Sequence, residues 1–148
     1  MDWRLEKACS LAVIRYDIPK TTIVRVSLSA DVLDRICIGL CLLREALIDS
    51  LRLIDVKGAN RLMLQRSKHA TSLQLQQDKI DLAPDAVALE MWHSFMLRAV
   101  RDGVAEVDHI DMEVTLEGQT DETVALVIKY PFSAPPLSPD EVRRRLGL

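Results

Sequence analysis

The stretch TTIVRVSLSADVLDRICIGLCLLREALIDSLRLI, residues 21–54, decides how the chain is laid out. Its first nine residues are rich in β-branched side chains and alternate, with Thr22, Val24, Val26 and Leu28 on one side and Ile23, Arg25 and Ser27 on the other, which predicts a strand. The spacing then changes. Ser29 offers a hydroxyl to cap a first helical turn, and Asp31 suits the positive end of a helix dipole. Leu33, Ile36, Leu40, Leu43, Leu47, Leu51 and Ile54 recur at helical intervals, so one helix is expected to run as far as Ile54. Cys37, Cys41 and Ile48 widen its apolar stripe, which implies packing on two sides, or on one side by a partner subunit. Gly39 in mid-helix costs about 1 kcal/mol against Ala and permits close approach of a neighbour.

Beyond Ile54 the pattern weakens. Residues 57–77 read as two short strands, with Leu62 and Leu64 facing Leu73 and Leu75 across the polar, partly basic tip RSKHAT; a poorly patterned helix is the alternative. A second helix is clearer, with Pro84 in its first turn, Asp85 at its positive end and Gly103 to stop it. Its buried stripe is expected to be Leu89, Trp92, Met96, Ala99 and Val100, broadened by Met91 and Phe95. EVDHIDMEVTLE, GQTD and ETVALVIKY then read as strand, turn and strand. Prolines between Pro131 and Pro136 make an extended connector, and SPDE at 138–141 is a capping box ahead of a short helix.

The fold expected is α+β: an antiparallel sheet of about four to five strands, two long helices on one of its faces, and a short C-terminal helix. Residues 1–130 form the domain, and residues 131–148 are a Pro-rich connector and helix packed on it or extending from it. A faint echo links VSLSADV from Val26 to IDLAPDA from Ile80, and LLR ending at Arg44 to MLR ending at Arg98. Chance similarity between two helix starts is the simpler account of it.

Composition narrows the chemistry. Aromatics make up only 4% of the 148 residues, so the core must be aliphatic, anchored by Trp3, Trp92, Phe95 and Phe132. Three cysteines, Cys9, Cys37 and Cys41, fit a reduced, cytoplasmic setting. The N-terminal residues mix both charge signs ahead of any apolar run, unlike a secretory leader, and Ile36–Leu43 is too short to span a bilayer. No membrane association is expected. Residues 1–80 hold 13 Lys/Arg against 9 Asp/Glu, whereas residues 81–148 hold 6 against 13, so the two halves differ in sign.

The acids crowd into residues 102–122, where Asp102, Glu106, Asp108, Asp111, Glu113, Glu117, Asp121 and Glu122 stand without a single Lys or Arg. His109 sits among them, and the set looks at first like a metal or acid–base cluster. On a strand, however, His109, Asp111 and Glu113 share one face about 7 Å apart while Ile110, Met112 and Val114 share the other. Three groups so strung out cannot grip one ion, so neither a metal nor another cofactor is expected. His69 falls in the basic loop and His93 beside Trp92; Cys37 and Cys41, one turn apart, lack the further ligands of a zinc site. Five isolated glycines spell no phosphate-binding loop, and G-x-S-x-G is missing. The basic first half and Arg143–Arg145 are the only supports for nucleic-acid binding, which is not favoured with so few aromatics to stack bases.

The reading that follows is a non-enzymatic interaction module, of the immunity-protein or antitoxin kind, that docks a basic protein partner. Its partner-binding residues would be Asp102, Glu106, Asp108, His109, Asp111, Glu113, Glu117, Asp121 and Glu122. The alternative is a small enzyme or ligand- or metal-binding protein in which His109 or His93 is the base and Asp111 or Glu113 its orienting carboxylate. A third expectation is a homo-oligomer formed through the Ile36–Leu43 helix.

Overall fold

The computed structural model describes residues 1–77, 79–102, 109–116, 123–129 and 139–147. The chain runs β1 (Asp2–Asp17), β2 (Lys20–Leu28), α1 (Leu33–Arg44), β3 (Ser50–Asp55), β4 (Arg61–Gln65), β5 (Ser72–Leu75), β6 (Lys79–Ala83) and α2 (Ala86–Asp102). It continues through β7 (His109–Glu113), β8 (Thr115–Leu116), β9 (Thr123–Lys129) and α3 (Pro139–Leu146). Residues 131–138, the Pro-rich connector, and the GQTD turn lie outside the described residues.

The first departure from the sequence reading is the length of α1, which stops at Arg44 rather than continuing to Ile54. Ala46 takes a left-handed backbone, φ 60°. The amide of Leu47 reaches back to the carbonyl of Leu42 at 2.9 Å and that of Ala46 to Leu43 at 3.2 Å, the paired bonds of a Schellman stop. No glycine marks this stop, which is why periodicity ran through it. Leu51 and Ile54 therefore belong to β3, and their helical spacing is a coincidence of two short elements in succession.

The second departure is the sheet. Instead of about four to five antiparallel strands under two long helices, nine strands form one mixed sheet in the order β7-β9-β2-β1-β3-β4-β6-β5-β8. β1/β3, β2/β9, β4/β6 and β5/β8 are parallel, and β1/β2, β3/β4, β5/β6 and β7/β9 antiparallel. β4 and β5 are strands, but they do not face one another; β6 lies between them. A 2.9 Å bond from Gln76 N–H to the Lys79 carbonyl continues the antiparallel pairing of β5 with β6, and β6 is the intervening strand. β1, 16 residues long, had no clear period because its register shifts between Leu5 and Cys9 and Lys7 is left-handed there, φ 50°. Ala8 and Cys9 are consequently both buried, and alternation is lost.

The two ends of this strand order are neighbours in sequence. β7 pairs with β9 and β8 pairs with β5, and only Val114 separates β7 from β8. The backbone pairing thus closes into a circuit of eight strands, one of them interrupted at Val114. α1 and α2 pack against each other, and α1 also packs on β1 and β3. Ile36, Leu40 and Leu43 from α1 and Leu89, Trp92 and Met96 from α2 join the inward residues of the strands in one aliphatic core. Each such side chain contributes roughly 1.5–3 kcal/mol of burial. On the solvent side of the helices Ile38 stays 50% exposed, whereas Ile36, Leu40 and Leu43 are consumed by the chain's own core.

The circuit is built twice. Residues of β1, β2, α1, β3 and β4 are followed by β5, β6, α2, β7/β8 and β9, and each set is strand, strand, helix, strand, strand. In each set the first strand pairs antiparallel with the second and parallel with the third, and the third antiparallel with the fourth. The sets are joined by equivalent parallel ladders, fourth strand to second, as β4/β6 and β9/β2. Ile36, Gly39, Leu40 and Leu43 are buried in α1 where Leu89, Trp92, His93 and Met96 are buried in α2. That correspondence runs one residue out of phase with the echo seen in the sequence.

Two substitutions test this packing. Ala46→Gly relieves a left-handed non-glycine residue and is expected to raise unfolding stability by about 1 kcal/mol in denaturant titration. At Gly39 an added Cβ would stand 2.8 Å from Leu51 Cδ1, inside the core. Gly39→Val is expected to cost about 1–3 kcal/mol in the same measurement.

Candidate functional site

β7 places His109 and Asp111 on the side of the sheet opposite Ile110 and Met112. The latter two are 6% and 5% exposed, whereas the His109 and Asp111 side chains are 44% and 69% exposed. His109 Nε2 lies 3.9 Å from Asp111 Oδ2, the separation of neighbours on one strand face rather than of a tight catalytic pair. The register sets His109 opposite Lys129 and Asp111 opposite Val127 on β9, and those in turn opposite Ser27 and Arg25 on β2. Residues paired this way share a face, so Lys129 and Arg25 border the acidic row with positive charge.

Of the remaining residues in this set, Asp102 ends α2 and Glu113 ends β7. Glu106, Asp108, Glu117, Asp121 and Glu122 lie outside the described residues. Among the described residues, no group of three or more His, Cys, Asp or Glu is placed to hold a metal ion. Cysteine chemistry is disfavoured by environment. Burial, aided by the charge of Asp55, pushes the Cys9 thiol up to about 12, and burial also raises Cys37. Asp55 itself serves the β3–β4 turn. Burial would raise its carboxyl, but hydrogen bonds from Asn60, Ala59 and Gly58 outweigh that and hold it below the ordinary value.

His93 is the other histidine with an organised environment. It is 3% exposed on α2, and its Nδ1 lies 3.0 Å from Arg44 Nη1. Arginine has no acceptor, so Nδ1 must accept this bond and the imidazole proton resides on Nε2. The other edge of the Arg44 guanidinium donates to Glu45 Oε1, from Nε at 3.3 Å and Nη2 at 3.1 Å. Burial first, and then the Arg44 charge, lower the His93 pKa, with Glu45 opposing.

Arg44 also borders a cavity of about 210 Å³, lined with it by Arg66, Ser67, Lys68, Ala86 and Leu89. The 66–71 loop that carries two of these cations is fastened to the start of α2. Ser67 N–H donates to the Pro84 carbonyl at 2.9 Å, and Asp85 N–H to Thr71 Oγ1 at 3.0 Å. Asp85 caps α2 by accepting from the Ala88 amide at 2.8 Å, so Pro84 precedes the helix rather than opening it. This cavity escaped the sequence reading. Its signal was the basic tip RSKH, but Arg44 and His93 are 49 residues apart, and only the packing of α1 on α2 brings them together.

No family model matches the chain, and comparison with curated proteins and with solved structures finds no match.

Two measurements follow. In the unfolded chain His93 takes up a proton near pH ~6.5, but in the folded chain it resists until a lower pH. Relative to its protonated form, the neutral imidazole therefore favours the folded state fully above that value, and this advantage is lost as pH falls through the window down to the lowered folded pKa. The urea midpoint of the native protein is expected to fall between about pH 7 and pH 5, and His93→Leu is expected to flatten that slope. Thiol titration of the folded protein near pH 8 is expected to leave Cys9 unmodified until denaturant is added.

Proposed function

We propose that this protein is a non-enzymatic interaction module that meets a basic protein partner through the outer surface of β7 and the acid-rich segment around it. The supporting observation is the division of that strand, whose Ile110 and Met112 are committed to the core while His109 and Asp111 are given to solvent. Eight acids between residues 102 and 122 with no Lys or Arg supply the field that would draw a cationic surface. Charge of this kind speeds encounter and rejects wrong partners more than it tightens the final complex. Lys129 and Arg25 at its border would orient such a partner by repelling cations on one side. A role like that of an immunity protein or antitoxin, masking a cationic enzyme, is the biological setting this reading fits. Three free cysteines are compatible with reducing cytoplasm. Among the described residues no helix is long and apolar enough to cross a membrane.

The enzyme alternative built on His109 and Asp111 is less well supported, because both groups are open to water at 3.9 Å from one another. His93 has its Nδ1 taken by a guanidinium rather than a carboxylate.

Affinity capture with the full chain, at low and at high salt, tests the proposal. A basic protein recovered at low salt and lost at high salt is the expected outcome. Asp111→Ala together with Glu113→Ala should weaken that complex about tenfold at low salt while leaving the melting temperature unchanged. Turnover of a screened substrate with no protein recovered would replace this reading with the enzymatic one.

A further inference from the structure

Three cations from two separate parts of the chain converge on the cavity beside α2. Arg44 comes from the end of α1, and Arg66 and Lys68 from the loop after β4. None of the six lining residues is acidic. Neither Arg66 nor Lys68 forms a side-chain hydrogen bond or ion pair among the described residues. Each nearby carboxylate already has a partner, and among the described residues only Arg44 of the three cations is paired with one. Glu45 holds one edge of Arg44, Asp85 caps α2, and Asp49, whose charge reaches Arg66, is taken by the N-terminal amine at 2.6 Å. Like charges gathered around a concavity repel one another until an anion fills it.

The walls are held in place before any ligand arrives. Ser67 Oγ donates to the Ala70 carbonyl at 3.1 Å and accepts from His69 N–H at 3.1 Å, so this hydroxyl shapes the loop. The loop is in turn fastened to Pro84 and Asp85, as described above. Arg44 is held from below by His93, a buried imidazole at the position where the sister half of the fold buries Leu40. The core has no need of a polar group there, and burying one is costly unless it is hydrogen-bonded. Its placement makes sense as a support that aims the guanidinium. A site whose donors are fixed in advance loses little order on binding.

We infer that this cavity binds a small oxyanion of the phosphate type, either the free ion or the phosphate group of a monoester, held by Arg44, Arg66 and Lys68 with His93 as the residue that positions Arg44. Arg66 offers a planar fork suited to a pair of phosphate oxygens, Arg44 the N–H bonds that His93 and Glu45 leave over, and Lys68 a point charge. A volume of about 210 Å³ falls short of drug-sized pockets, and Leu89 and Ala86 leave a small apolar wall for the first carbons of an ester.

The test uses the full chain with inorganic phosphate and with phenyl phosphate, against sodium chloride at equal ionic strength, read by thermal melting and by titration calorimetry. Either phosphate is expected to raise the melting temperature where chloride does not, and the stronger of the two identifies free ion or ester as the ligand. Arg66→Gln and Lys68→Gln change exposed side chains and should each weaken binding by about tenfold, as expected for loss of a charge-assisted bond. Lys57→Gln, which removes the same charge from the β3–β4 turn, should bind as the native protein does. His93→Asn keeps an acceptor for Arg44 and should retain affinity, whereas His93→Leu should lose it with the melting temperature in the absence of phosphate preserved above pH ~7. Equal melting temperatures in phosphate and chloride overturn the inference, as do Arg66→Gln and Lys68→Gln variants that bind like the native chain.

Discussion

The structure depends on residues 109–116 forming a strand with two different partners. Its first five residues complete a ladder with β9, its last two complete one with β5, and Val114 lies between. A mixed sheet left open would end in two bare edges, each a row of unpaired amides and carbonyls inviting other chains. Here one segment joins both ends, so strands far apart in sequence are tied into the same hydrogen-bonded circuit. The alternation of Ile110 and Met112 with His109 and Asp111 follows from that position, since a strand within the circuit has one face on the core and one in water.

What the sequence made legible was local. β2, the alternation of β7 and the α2 stripe at Leu89, Trp92, Met96 and Ala99 were carried by period within a dozen residues. Val100 and Met91, expected in that stripe, are however exposed, and Ser29 makes no side-chain bond to cap α1, which begins at Leu33. What it hid was non-local or unmarked. The end of α1 is made by Ala46 in a backbone conformation that glycine usually signals, and β1 loses its period at the shifted register near Lys7. Pairing between β4 and β6, or β2 and β9, has no local sign, and hairpin logic therefore favoured antiparallel neighbours throughout. The same limit applied to the sites. His109 and Asp111 stood out because they are two positions apart in the chain, whereas the Arg44–His93 contact is a product of helix packing alone.

Charge is distributed in keeping with the two halves of the fold. The first supplies Arg44, the loop that joins the halves supplies Arg66 and Lys68, and the sequence of the second holds the run of acids between residues 102 and 122. Packing does not require this difference, because Ile36, Gly39, Leu40 and Leu43 of α1 are buried where Leu89, Trp92, His93 and Met96 of α2 are buried, although Cys37 is buried where Glu90 is exposed.

The doubled layout means that one half already contains both halves of the joint that closes the molecule. Its second strand is shaped to receive a fourth strand, and its fourth strand to meet a second. The same pairing rule therefore closes the eight-strand loop at both of its joints. Carried on one chain, the two halves need not match residue for residue, and α2 buries His93 where α1 buries Leu40.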